Sequence, residues 1–345
     1  MGNGHAEIDH EALAAAVAGA AERESPGPRD MRGYLAAILT DQRVNDVVGP
    51  LLDGSGPSGV VLYRDTVVAE WGEPEACEMS FSATKSYLSL AAGLAFDRGL
   101  LGDLDAPVTE RVDHEAFAGA RDRRITWTHL LQQTSQWDGT LWGKPWWCDP
   151  QGAQGPHADL GAPGSAFAYN DVRINLLALA LTLLWRRPLG AVLRDELMAP
   201  LGAPDGWAWH GYDGATVGVD GRTVPVVSGG AHWGGGLWMR ATDHALVGRL
   251  LLHRGDWDGR RILSDEWWER SITPSPRNLD YGLLWWLNHR GRIFGEAPAS
   301  GICARGNLGR QLLWIDPARE LVVVSRWSDG VGRFLAEVSA AVPTA

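Results

Sequence analysis

Ser82-Ala83-Thr84-Lys85 sets a hydroxyl and an amine three residues apart. On a helix, residues i and i+3 share a face, so the two side chains can meet within hydrogen-bonding reach. A serine hydroxyl is too weak a nucleophile at neutral pH without a base to take its proton. A lysine buried beside it, near the positive end of a helix dipole, would have its amine pKa pushed down and could be that base. The composition adds weight. Of 31 basic residues only Lys85 and Lys144 are lysine, a bias that GC-rich coding explains. Arginine cannot be deprotonated in a protein and lysine can, so a position that keeps lysine is informative. With two lysines and 17 serines in 345 residues, chance would place a serine three before either lysine about 0.1 of the time. The plain alternative is an exposed helix start capped by Ser82, where the same dipole disfavours Lys85.

Phe167-Ala168-Tyr169-Asn170-Asp171 directly precedes a helical pattern. Tyr169 would then sit at a helix N-terminus, where backbone N–H groups and a nearby ammonium suit a proton carrier, for example to a leaving group. A buried aromatic with a satisfied hydroxyl is the competing reading, and Asp171 reads equally as the helix cap. A third element, Ala304-Arg305-Gly306-Asn307-Leu308-Gly309, leads into the last strand pair. Its glycines let a strand edge approach a ligand closely. A backbone N–H there, with that of Ser82, could form an oxyanion hole.

In this order, Ser-x-x-Lys, Tyr-x-Asp and a glycine-containing strand, the sequence resembles the serine β-lactamase and penicillin-binding-protein superfamily. The nearest branch is that of class C β-lactamases, esterases and aminohexanoate-oligomer hydrolases, over roughly residues 55–335. Leu130–Ser135, Gly234–Met239 and Trp314-Ile315-Asp316-Pro317 followed by Leu321–Val324 support it. The resemblance implies that Ser82 is acylated, that Lys85 and Tyr169 relay protons, and that the N–H groups of Ser82 and Asn307 hold the oxyanion. Two positions depart from the family pattern. Asp171 stands where the family usually has Asn, and Ala304 where it has Lys or His, the residue that helps β-lactamases hold a substrate carboxylate. Ester or amide substrates without that carboxylate therefore suit the site better than β-lactams. Strand neighbours alternate faces, which leaves the direction of Arg305 open.

There are 18 tryptophans, with a dense group at Trp137, Trp142, Trp146 and Trp147 and others at Trp207, Trp209, Trp233 and Trp238. Gln136–Gly155 reads as a loop, where exposed aromatics could rim a cleft for a flat or apolar ligand. Trp137, Trp142 and Trp233 are the rim candidates, against the alternative that they pack an interface between lobes. No HExxH or paired histidine spacing points to a metal, and His232 reads as a structural or pocket-lining histidine. No GxGxxG follows a strand and no GxxxxGK[ST] occurs, so no cofactor is expected.

The elements that must position these residues are legible in outline. Residues 1–57 read as an N-terminal helical segment packing on the core, with helical patches at Glu11–Glu24 and Met31–Asp46. Gly59–Tyr63 and Thr66–Trp71 read as a hairpin turning at Arg64-Asp65, and Gln311–Ile315 with Leu321–Trp327 as a second. Tyr281–Asn288 is a further strand candidate. Between them lie helical patterns at Ser82–Arg98, Trp127–Gln133, Asp171–Arg187, Ala191–Leu201 and Asp243–His253. The fold class is therefore α/β of the α+β type: an antiparallel sheet built from both chain ends, flanked by helices, with an inserted helix-rich lobe. Residues 58–81 and 266–345 would form the sheet-containing lobe and 82–265 the helix-rich one, with the site in the cleft between.

A net charge of −11 disfavours nucleic acid and anionic membranes as partners, since both need clustered Lys and Arg. Three scattered cysteines, Cys77, Cys148 and Cys303, fit a reducing compartment. The N-terminus lacks the basic start of a secretory signal, and the longest apolar run, Ile174–Trp185, is too short for a bilayer, so a cytoplasmic protein is expected. The expected partner is a small-molecule ester or amide, cleaved through a Ser82 acyl-enzyme. Two alternatives stand beside hydrolysis: transfer of the acyl group to an amine or alcohol in small-molecule biosynthesis, and a non-catalytic ligand-binding protein on the same fold. Oligomeric state is not readable from the sequence.

Overall fold

In the computed structural model, which describes residues 7–38, 46–149, 155 and 159–344, hairpins from opposite ends of the chain pair into one sheet. Ser58–Tyr63 and Thr66–Trp71 are joined at Arg64 and Asp65, both at positive φ, and Gln311–Asp316 joins Leu321–Arg326 across a 3-10 turn at Pro317–Arg319. The first strand then runs antiparallel to the last, with Gly59 opposite Ser325. Ile302–Gly306 and Trp286–Leu287 complete a six-stranded antiparallel sheet on the far side of Gln311–Asp316.

The period-two alternation of a strand sorts side chains to opposite faces. Val61, Tyr63, Trp314, Leu321 and Val323 face one way, onto the helices His10–Glu22 and Val331–Ala341, which pack on each other. Val60, Leu62, Leu313, Val322 and Val324 face the other way, onto the helix Ala241–Leu252 and the main core. Both layers are buried, so the sheet is a filling between helices.

Two helices cross the remaining core, Thr84–Asp97 and Asp171–Trp185. Each is buried nearly all round, as expected of helices with little polar surface to show water. They pack on each other, and their N-termini lie at the same end, beside the edge of the sheet. That convergence builds the site.

Several boundaries differ from the sequence reading. The patch Met31–Asp46 is helical over Met31–Ile38, and residues 39–45 lie outside the described residues. Ser82 sits in a 3-10 turn, Phe81–Ala83, before the α-helix starts at Thr84. The helix expected over Ala191–Leu201 is α-helical at Leu189–Leu193 and then widens into a π turn. Of the strand expected over Tyr281–Asn288, only Trp286–Leu287 pairs in the sheet. The preceding residues bend away because Leu284 adopts positive φ and the Leu283 N–H bonds the Ser271 carbonyl instead. No single helix among the described residues is long and apolar enough to cross a membrane.

Candidate active site

The turn that carries Ser82 is fixed from several sides. The Ser80 N–H donates to the Leu237 carbonyl at 2.7 Å, and its hydroxyl meets His244 Nε2 at 3.0 Å. His244 Nδ1 in turn meets the Tyr87 hydroxyl at 2.6 Å, and burial holds this histidine neutral, its pKa lowered to about 3. Thr84 Oγ1 accepts from the Leu237 N–H at 3.2 Å. Between these anchors Phe81 is forced to φ 46°, a conformation that bulky residues adopt only when the surroundings over-determine it. The outcome is a half-buried Ser82 facing a cavity of about 470 Å³.

Lys85 lies one turn on, 1% exposed, with Nζ 2.8 Å from Ser82 Oγ and 2.5 Å from Asp171 Oδ1. The ring of Tyr169 covers the same nitrogen at 4.6 Å from its centroid. These contacts reverse the expected direction of the Lys85 shift. Burial disfavours the ammonium, but the Asp171 carboxylate, the Tyr169 hydroxyl and the hydrogen bonds to them outweigh it. Lys85 is held above the ordinary lysine range, and the resting side chain is an ammonium. Burial pushes the Asp171 carboxyl up, but the Lys85 ammonium, its hydrogen bond and the backbone hydrogen bond from His232 pull it further down, so it stays ionised. The pair is a buried salt bridge with both side chains 2% exposed.

Asp171 is free to reach Lys85 because it does not cap its helix, which corrects the alternative left open by the sequence. Asn170 is the cap: its side chain accepts from the Arg173 N–H at 2.9 Å and donates to the Trp146 carbonyl at 2.7 Å. The other wall of the pair is Gly230. A Cβ there would lie 2.6 Å from Asp171 Oδ2 and 3.2 Å from Lys85 Nζ, so the backbone comes this close only as glycine.

Tyr169 is clamped from both sides by Gln133. The Gln133 carbonyl accepts from the Ala168 N–H at 2.9 Å, and its Oε1 accepts from the Asn170 N–H at 2.9 Å. Gln133 Nε2 donates to the Tyr281 hydroxyl at 2.8 Å. The Tyr169 ring leans on Trp286 at a centroid distance of 5.7 Å. Gln133 belongs to a segment that the sequence marked only as supporting; nothing local in it signalled this clamp.

The end of the strand Ile302–Gly306 closes the site. A Cβ on Gly306 would fall 2.5 Å from the Ser80 carbonyl and 2.8 Å from Ser82 N, so the strand edge passes directly against the nucleophile turn. Asn307 follows at φ 49°, with its Oδ1 accepting from the Tyr34 hydroxyl. Ala304 is fully buried in the core and presents nothing to the cavity. Arg305 lines the cavity, its guanidinium 5.2 Å from the Trp286 ring and 5.5 Å from Phe294. It makes no ion pair among the described residues. A cation therefore stands on this wall one position later than the family pattern puts it.

Tyr34, Leu35, Phe81, Ala231, Trp286 and Leu308 also line the cavity. The rim assignment of Trp137, Trp142 and Trp233 is corrected: none of the three lines the cavity. Trp137 and Trp233 are core residues, the first donating to the Ala116 carbonyl at 2.9 Å and the second lying under Lys144, while Trp142 packs against Tyr212. His232 does line the cavity, its ring set on Trp233. The tryptophan the pocket uses is Trp286, which the strand register places there.

A family model for beta-lactamase matches residues 60–331 of the chain. Among solved structures the fold is similar to EstCE1, a hydrolase with promiscuous acyltransferase activity, at 17% identity and TM-score 0.62, over 96% of this chain and 99% of that one. It is also similar to a Bacillus anthracis protein named for 6-aminohexanoate-dimer hydrolase, at 17% identity and TM-score 0.59, over 82% and 78%. A penicillin-binding protein homologue from Pyrococcus abyssi matches at 19% identity and TM-score 0.57, over 83% and 73%. At these identities the likeness is one of fold.

Proposed function

The chain belongs to the beta-lactamase family, and from that premise we propose that it is a serine hydrolase cleaving an ester or amide of a small molecule through a Ser82 acyl-enzyme. The observation that carries this reading is the unbroken line Ser82 Oγ, Lys85 Nζ, Asp171 Oδ1, with links of 2.8 and 2.5 Å, at the wall of a cavity. Because Lys85 rests as an ammonium, it cannot take the serine proton unaided. Lys85 instead passes a proton to Asp171 as it receives the one from Ser82, so the pair acts as a single base and its net charge rises from zero to +1, balanced by the oxyanion that forms on the substrate. The substrate carbonyl oxygen becomes the oxyanion and is held by the N–H groups of Ser82 and Asn307. Tyr169 gives its proton to the leaving alcohol or amine and regains one from Lys85, which takes back the proton held on Asp171. Water then attacks the acyl-enzyme by the same route in reverse. No metal or cofactor enters these steps.

Leu35, Phe81, Trp286 and Leu308 favour a substrate with an apolar or aromatic acyl part, and Arg305 favours an anionic or polar group at its edge. The apolar walls also support the second reading, in which an amine or alcohol takes the acyl group in place of water; EstCE1, which shares the fold, combines hydrolase and acyltransferase activity. Turnover of a chromogenic ester by the wild type and by Ser82→Ala tests the hydrolase reading. Loss of turnover in Ser82→Ala supports it. Undiminished turnover, or none in the wild type, contradicts it, the latter favouring a binding protein. Added amines that divert product to amide at constant ester consumption mark the acyl-transfer reading.

A further inference from the structure

Tyr34 lies on the helix Met31–Ile38, ahead of the family-matched region that begins at residue 60, yet it reaches the reacting centre. Its hydroxyl donates to Asn307 Oδ1. Its ring meets Phe81 edge-on at 6.0 Å and Trp327 at 6.2 Å, and those two rings meet each other at 6.0 Å. Asn307, Phe81 and Trp327 share a further property: all three sit at positive φ, 49°, 46° and 57°. Non-glycine residues in that region are strained and persist there only when neighbours hold them. Phe81 immediately precedes the nucleophile, Asn307 immediately follows Gly306, and Trp327 ends the strand Leu321–Arg326 while its N–H bonds the Arg310 carbonyl of the same turn. Tyr34 touches all three.

The helix is itself anchored. The Met31 N–H donates to Asp53 Oδ1 at 3.0 Å, and Arg29, just ahead of it, pairs with Glu24 and donates to the Ser55 carbonyl at 2.9 Å. Tyr34 is 8% exposed, so its hydroxyl is held with little freedom.

We propose that Tyr34 is a positioning residue for acyl transfer: through Asn307 Oδ1 it fixes the strained main chain whose N–H faces the developing oxyanion. The inference rests on the acyl-enzyme reading above. It makes the segment before the family-matched region part of the working site. Without the Tyr34 hydroxyl the Asn307 side chain is released and its backbone can relax toward ordinary φ, turning the N–H away. Removing an oxyanion donor outright lowers kcat about 10²–10³-fold; misaligning one is expected to lower the acylation rate about tenfold.

Tyr34→Phe keeps the ring cluster and deletes only the hydroxyl. Ser82 acylation by an activated ester should slow about tenfold with KM within about twofold and a melting temperature close to wild type. A loss of packing alone would lower the melting temperature and leave kcat per titrated active site unchanged. Asn307→Ala removes the acceptor, so the double variant should be no slower than Asn307→Ala alone. Wild-type acylation rates in Tyr34→Phe, or effects of the two substitutions that multiply, overturn the inference while leaving the acyl-enzyme reading intact. Failure of wild-type Ser82 to acylate at all overturns both.

Discussion

Asp171→Asn tests the charge state of the site. The substitution keeps the size of the side chain and restores the residue the family usually has, but it leaves the Lys85 ammonium without its counter-ion in a place where both groups are 2% exposed. Breaking a buried ion pair from one side costs about 3–5 kcal/mol. With roughly 2.1 cal/mol/K of unfolding entropy per residue, a chain of 345 residues would lose about 4–7 °C in melting temperature near neutral pH. The pH dependence gives the sharper signature. In the wild type Lys85 is held above its ordinary value of 10.5, so its contribution is complete below that value and is lost only as pH rises through the folded one. Asp171 is held below its ordinary 3.8, so its contribution is complete above that value and is lost only as pH falls through the folded one. The pair therefore contributes evenly from about pH 5 to 9. In the variant, burial, the largest influence on Lys85, is opposed only by Tyr169, and it drives the amine down from its wild-type position to below its ordinary range. The unfolded chain then binds the proton more readily, and stability rises with pH by up to about 1.4 kcal/mol per unit. Urea titrations of both proteins between pH 6 and 9 should show a gap that narrows steadily as pH rises. Acylation by the variant should acquire an acid limb in the same range, where the wild type is level. A gap below about 1 kcal/mol, or one constant with pH, would refute the ion-pair account.

Lys85→Arg keeps the charge but cannot hand on a proton, so acylation per folded molecule should fall about 10²–10⁴-fold; stopped-flow with an activated ester measures it, and an active variant would remove Lys85 from the proton path. Gly230→Ala puts a methyl 2.6 Å from Asp171 Oδ2. Calorimetry should show a loss of about 1–3 kcal/mol from overpacking, with activity falling by more than the folded fraction explains; wild-type activity would show that the pair has room to spare.

How far the sequence reached follows from the distance over which each contact is made. Ser82 and Lys85 are three residues apart, and helical spacing alone predicts their meeting. The protonation state of Lys85 was not legible, because its counter-ion comes from 86 residues away and an Asp at a helix start reads equally well as a cap. Asn170 and Asp171 are both good capping residues, and only the packing of the helix decides which of them turns inward. Tyr34 and Asn307 are 273 residues apart, and no local pattern links them. The sheet was readable from both hairpins because short runs rich in valine, leucine and isoleucine are bounded by turn residues at Arg64-Asp65 and Asp316-Pro317, although three of the four strands are buried on both faces. Trp286 was not singled out because its strand is two residues long and preceded by a bend. Tryptophan density pointed instead to Trp137 and Trp233, where it marks core volume that ring size fills.

The central claim is that Ser82 forms a covalent intermediate. Intact-mass spectrometry of the wild type after exposure to a fluorophosphonate, followed by peptide mapping, tests it in one step. One adduct per chain on Ser82, absent from Ser82→Ala and slowed in Lys85→Arg, is the result expected. An unmodified protein, or an adduct that persists in Ser82→Ala, would contradict it.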